Sequence, residues 1–301
     1  MFIQFNETNS VLISDLAVVF GLTQMQTVEQ AEVDASYELT SDNMLKMMAI
    51  FMRFTVSIPI IIMGETGVGK TRLVSFMCAL MRRGKDANNF FILKMHGGIT
   101  ELDVFAIVRK GIQHAQLNIR KGVPTTVIFF DEANTSDAIS TIKTVLVDRL
   151  VDGEPIPSDI GLQFVCAVNP YREHSQQMIT KLENAGLGYH IKANETEDAI
   201  GNIPLRRLVY RVKEIPASLF PMIWDFGSLA EDAEKKYAYQ MVKKALNSTN
   251  YATETQLVVN ILNRSQRYMR SRTDESSFVS PFLFRISKYF LCHFFSLGVV
   301  A

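Results

Sequence analysis

Through roughly its first two thirds, the chain alternates short unbroken apolar runs with longer stretches in which apolar and polar residues interleave. Ile58 to Met63 (IPIIIM) is apolar throughout, which predicts a central β-strand covered on both faces. NFFILKMH (from Asn89), VIFF (Val127 to Phe130) and LQFVCAV (Leu162 to Val168) predict three further strands, and LVYRVKEI (Leu208 to Ile215) a fifth. TRLVSFMCALMRR, TELDVFAIV and SDAISTIKTVLVDRL lie between them and carry helical spacing. Thr100 is placed to cap the second of these helices, with Asp103 three residues on in a capping-box arrangement. Strand and helix in alternation predict an α/β fold, a parallel five-stranded sheet between helices.

The pattern changes along the chain. Arg172 to Asn202 is polar and reads as a surface insertion or mobile loop. After Pro216 the expectation is helices alone, SLAEDAEKKYAYQMVKKAL and then TETQLVVNILNRSQRYMR. The division expected is a lead-in over 1–38, a nucleotide-binding domain over 39–215, a small helical lid over 216–280 and an apolar tail over 281–301. That tail, PFLFRISKYFLCHFFSLGVVA, is interrupted by Arg285, Lys288 and His293. A spanning helix wants about 20 apolar residues in a row, so a membrane anchor is the minority reading.

Composition narrows the function classes. The 301 residues hold 31 Lys and Arg against 31 Asp and Glu, which gives no electrostatic case for a nucleic-acid partner. Cys78, Cys166 and Cys292 stand far apart, in no cluster with histidine, so a zinc module is not expected and buried thiols are.

Against that background, GETGVGKT stands out. Gly64, Glu65, Thr66, Gly67, Val68, Gly69, Lys70 and Thr71 fit GxxxxGK[ST] completely, after an apolar strand and at the start of a helix. The spacing has a chemical reason. Glycines turn backbone N–H groups inward around a phosphate at the positive end of the helix, Lys70 reaches the terminal phosphates, and Thr71 offers a hydroxyl to Mg²⁺. A plain strand-to-helix turn would need neither Lys70 nor Thr71.

Three more constellations follow. In VIFFDEAN, Asp131 and Glu132 end a buried strand, where ligands collect in open α/β sheets. Asp131 suits Mg²⁺ and Glu132 the general base for an attacking water; alone, the pair could be a solvated strand end. Asn169 in CAVNPYR ends the fourth strand and can sense the γ-phosphate or the lytic water, although Asn-Pro also initiates turns. Arg206 and Arg207 precede the fifth expected strand. They read either as a solvated pair or as a finger reaching a neighbour's γ-phosphate, with Arg206 preferred. His96-Gly97-Gly98 reads as a turn, and Trp224 as a packing anchor.

These elements in this order resemble the AAA+ ATPases: Walker A, Walker B, sensor 1, arginine finger and helical lid. The runs LKMMAIFMRF, IIMGETGVGKTRL, HGGITELD, FFDEANTSDAISTIK, DGEPIP, QFVCAVNPYR and LVYRVKEIPASLFPMIWDFG resemble one AAA module of the mysterin family of giant ring-finger ubiquitin ligases, from about Leu39 to Ser280. The resemblance implies ATP and Mg²⁺ as ligands and neighbouring AAA modules of one long chain as partners. It also implies adenine against Tyr37 to Thr40, and a cytoplasmic setting with lipid-droplet association. Ligation in the family belongs to modules outside the AAA core, so this chain is not expected to transfer ubiquitin. The tail departs from the family pattern, which leaves Arg285 without a sensor 2 role. A truncated or misassigned gene product is the expectation there, ahead of an isoform or an anchor. Two functions stay open at this level: an ATPase, and a nucleotide-binding structural or regulatory module with little hydrolysis.

Overall fold

Three consecutive isoleucines, Ile60 to Ile62, open the first strand, β1 (Ile60–Met63), and all three are buried. The structure is a computed structural model and describes residues 16, 18–20, 37, 39–82, 84–184, 199–200, 203–204, 208–227, 234–236, 238–239, 242 and 252–271. β1 pairs on both sides within a five-stranded parallel sheet. The other strands are β2 (Phe90–Lys94), β3 (Thr126–Asp131), β4 (Leu162–Val168) and β5 (Ile223–Asp225), in the spatial order β2-β3-β4-β1-β5. β4 therefore lies between β1 and β3.

The period of two along each strand divides the core into two layers. Ile61, Ile128, Phe130, Phe164 and Cys166 point to one face with residues of α3 (Glu101–Arg120). Ile60, Ile62, Val127, Phe129 and Val165 point to the other, against α1 (Ser41–Thr55) and α2 (Lys70–Arg82). Such two-sided cover is why the strands read as continuous apolar runs. Burial pushes the Cys78 and Cys166 thiols up, so both persist as neutral core groups.

α3 begins on the expected capping box. The Asp103 carboxylate accepts from the Thr100 N–H at 2.8 Å, and the Thr100 hydroxyl oxygen accepts from the Asp103 N–H. Midway along, Gly111 lets the helix lie close on β3: a Cβ there would stand 2.4 Å from Ile128 Cδ1.

The structure corrects the elements around this frame. The fifth strand is Ile223–Asp225, not Leu208 to Ile215. Leu208 forms only an isolated bridge with Glu173, the chain bends at Val209 and Tyr210, and residues 211–215 join no strand. Val209 N–H donates to the Arg172 carbonyl, and Ile215 N–H donates to the Tyr171 hydroxyl, which in turn donates to the Lys213 carbonyl. The α/β unit accordingly runs past Pro216, and the segment after it is not helical alone.

The long helix expected from Ser136 is instead α4 (Ile139–Lys143), a wide π-type turn over Thr144–Asp148, and a hairpin of Leu150–Val151 with Glu154–Pro155. The hairpin turns at Asp152-Gly153, both at positive φ, a dipeptide suited to such a turn. The polar insertion contains a helix, α5 (Gln176–Asn184), and a strand, Ala199–Ile200, that pairs with Ile203–Pro204 just beyond it. Later in the chain comes α6 (Ala252–Ser271), where Val259 joins Ala238 and Val242 in a small separate cluster. Trp224 packs against the core, as expected of an anchor. No helix among the described residues is long and apolar enough to cross a membrane; the tail 281–301 and Arg285 lie outside them.

Candidate nucleotide site

The carboxyl ends of β1, β4 and β3 are adjacent, and the three expected motifs meet there. Gly64 follows β1 and donates its N–H to the Val168 carbonyl at 3.2 Å, which ties the loop to the end of β4. Gly67 (φ 81°) and Gly69 (φ 94°) hold left-handed backbone that other residues adopt at a cost. Lys70 is the first residue of α2, so the loop delivers its chain to a helix N-terminus whose first N–H groups have no partner within the helix.

Lys70 is buried, and its ammonium donates to the carbonyls of Gly64 and, at 3.1 Å, of Glu65. Burial lowers its pKa to about 8, while the carboxylates of Asp131, Glu132 and Glu65 pull the other way. The Lys70 ammonium thus feels all three carboxylates. The Thr71 hydroxyl donates to Asp131 Oδ2 at 3.0 Å across 60 residues of chain. A hydroxyl and a carboxylate at that separation are hard oxygen donors of the kind Mg²⁺ takes.

Glu132, just beyond β3, sits at φ 55°, the left-handed region, where a non-glycine residue costs about 1–3 kcal/mol. Its carbonyl is held by the Thr135 N–H (3.0 Å) and hydroxyl (2.8 Å). Strain of this kind collects at working sites. Asn169 follows β4 and is buried. Its side-chain oxygen Oδ1 has no hydrogen-bond partner among the described residues. An orphaned buried acceptor beside an acid pair suits a site that takes in a donor such as water.

The remaining expectations fare differently. Arg206 and Arg207 lie outside the described residues. Tyr37 is buried and stacked on Phe76, with ring centroids 4.4 Å apart, so its ring serves the core. A cavity of about 350 Å³ lies along α2 and the amino end of β2, lined by Tyr37, Arg72, Ser75, Phe76, Asn88 and Phe90. His96-Gly97-Gly98 forms the expected turn, with the Gly98 N–H on His96 Nδ1.

Two contacts were invisible in the pattern. Arg172 makes an ion pair with Glu65, joining the loop after β4 to the phosphate loop. Asn134 uses its side-chain amide on the backbone of Asn169. The only signal in the sequence was a polar residue held directly behind the acid pair.

A parallel sheet in this order defines a class. With GxxxxGKT after β1 and an acid pair two strands away, it is the P-loop fold of AAA+ type. The family model of the RNF213 AAA domain matches residues 37–172. The chain is 50% identical over 248 residues to E3 ubiquitin-protein ligase rnf213-beta of Danio rerio, covering 82% of this chain and 5% of that protein. It is 49% identical to E3 ubiquitin-protein ligase RNF213 of Mus musculus over 248 residues, with the same coverage. To RNF213 of Homo sapiens it is 49% identical over 266 residues, 88% of this chain and 5% of that one. The chain belongs to the RNF213, or mysterin, family as one of its AAA modules. It spans 5% of the length of these curated relatives.

Proposed function

We propose that this module binds ATP with Mg²⁺ and hydrolyses it, passing the resulting change of shape to neighbouring AAA modules of a mysterin-like chain. The observation that carries the reading is the Thr71–Asp131 contact at 3.0 Å, with Glu132 next in sequence and Asn169 just after the strand between.

The loop from Gly64 to Thr71 takes the phosphates on its N–H groups, and Lys70 contributes its charge to the β- and γ-phosphate oxygens. Thr71 and Asp131 would hold the metal, directly or through water. Among the described residues no group of three His, Cys, Asp or Glu could hold a metal, so phosphates and water would make up the rest of such a shell. When bound, Mg²⁺ supplies charge neutralisation on the phosphate oxygens. Glu132 orients a water and accepts its proton as the oxygen forms a bond to the γ-phosphorus. The bond from that phosphorus to the β–γ bridging oxygen breaks, and ADP leaves with the electron pair. Asn169 offers its amide to the γ-phosphate or to that water.

Arg206 keeps the role of a finger acting on a neighbour's site, and the helical residues after Asp225 that of a lid. Turnover by an isolated chain is then slow, since its own finger acts elsewhere. Ubiquitin transfer is not assigned to this chain.

The test compares ATP binding and single-turnover hydrolysis in the native chain, Lys70→Ala and Glu132→Gln. Lys70→Ala is expected to lose binding. Glu132→Gln is expected to keep ATP and slow hydrolysis by about 10²–10⁴-fold, the usual worth of a general base. Unchanged behaviour of Glu132→Gln beside a native chain that binds without turnover would establish the regulatory-ligand reading instead.

A further inference from the structure

Asn134 is fully buried in the turn behind the acid pair, and its amide is used at both ends. Nδ2 donates to the Asn169 carbonyl at 2.9 Å, and Oδ1 accepts from the Asn169 N–H at 3.0 Å. A neighbouring strand would engage those same two backbone groups. The last backbone pair between β3 and β4 is Phe130 with Cys166, so the Asn134 side chain prolongs the contact between these two strands beyond their ladder. The Asn134 backbone carbonyl also accepts from the Lys213 N–H at 2.6 Å. An ion pair of Lys213 with Asp137 at 2.9 Å strengthens that junction.

We propose that Asn134 is a positioning residue for the nucleotide site: it sets the Glu132 turn and the Asn169 side chain relative to each other and ties both to residues 208–215. The proposal rests on reading the site as one for a nucleoside triphosphate. Its physical basis is the rarity of the fit. One neutral side chain must donate to a carbonyl and accept from an N–H of the same residue, at this length. An ionised aspartate has the same size but only accepts, and it would turn an oxygen toward the Asn169 carbonyl. Alanine does neither.

The geometry gives the clasp two outputs. Glu132 lies two residues before Asn134 in a strained left-handed conformation that a loosened turn would relax. Asn169 carries the orphaned acceptor, and its direction follows from the backbone that Asn134 holds. The third tie runs to a segment that begins one residue after Arg207 in the chain. A shift of residues 208–215 would therefore reach Asn134 through Lys213, and through Asn134 both groups that address the γ-phosphate.

The experiment uses the 301-residue chain with Asn134→Asp and Asn134→Ala. Isothermal titration with Mg-ADP and with the non-hydrolysable analogue Mg-AMP-PNP is set beside single-turnover ATP hydrolysis. The expected result is ADP affinity within about twofold of native, because the phosphate loop is untouched. Preference for the triphosphate falls about tenfold, within the usual range of coupling between sites. Hydrolysis slows about a hundredfold. Asn134→Asp that binds ADP and keeps the native preference overturns the proposal. So does Asn134→Asp that loses ADP and analogue together, which marks a residue holding the fold. A native chain that prefers the triphosphate yet never hydrolyses it defeats the ATPase reading, and the clasp is then decided by the preference ratio alone. A native chain with no preference overturns the clasp even if it hydrolyses ATP.

Discussion

The carboxyl edge of the sheet and the helical region around α6 are built in opposite ways. At the sheet edge, residues far apart in sequence are locked by specific polar contacts: Thr71 to Asp131, Asn134 to Asn169, Glu65 to Arg172, Lys213 to Asn134. Beneath it lie two continuous apolar layers. Around α6, the described core is Ala238, Val242 and Val259, while Leu257, Ile261 and Tyr268 face outward. Among the described residues, the specific polar contacts gather where phosphate chemistry would need them. Among the same residues, α6 meets the small cluster and not the two layers under the sheet.

The largest effect that would sharpen this contrast is in the sheet. Phe129 is fully buried in β3, and Phe129→Ala is expected to cost about 3–5 kcal/mol, read from the urea midpoint at constant m. Val259→Ala removes about two methylene equivalents from the small cluster and should cost about 1–2 kcal/mol. Equal costs for the two would break the comparison, since α6 would then belong to one cooperative core with the sheet. A smaller effect is expected at the rim of the α/β unit. Thr100→Ala loses the cap of α3 but no core contact, and about 1 kcal/mol of stability should go with it. A loss as large as that of Phe129→Ala would mean that the capping box organises the core and does not merely end a helix.

Much of the frame was legible because its signals are local. IPIIIM announces a two-sided strand through composition alone, and Thr100 with Asp103 announces a helix start through a spacing of three residues. The GxxxxGKT loop is legible for the same reason, since phosphate cradling demands contiguous residues. β5 was not legible. Three residues between Pro221 and Gly227 carry too little periodicity, whereas LVYRVKEI looks more strand-like and is diverted by Tyr171 and Arg172. The helix expected through Leu150 failed at Arg149, whose φ of 55° ends it in a way no propensity announces. Asn134 and Arg172 escaped notice because their partners lie 35 and 107 residues away.

The sequence by itself determined the phosphate loop, the acid pair, the apolar strands and their α/β class, since each depends on neighbours in the chain. Only the tertiary structure decided which short segment closes the sheet beside β1, and that an asparagine side chain joins two motifs. Those outcomes depend on which backbone groups remain unpaired after the sheet has formed, and a buried polar group must find its partner wherever in the chain that partner lies.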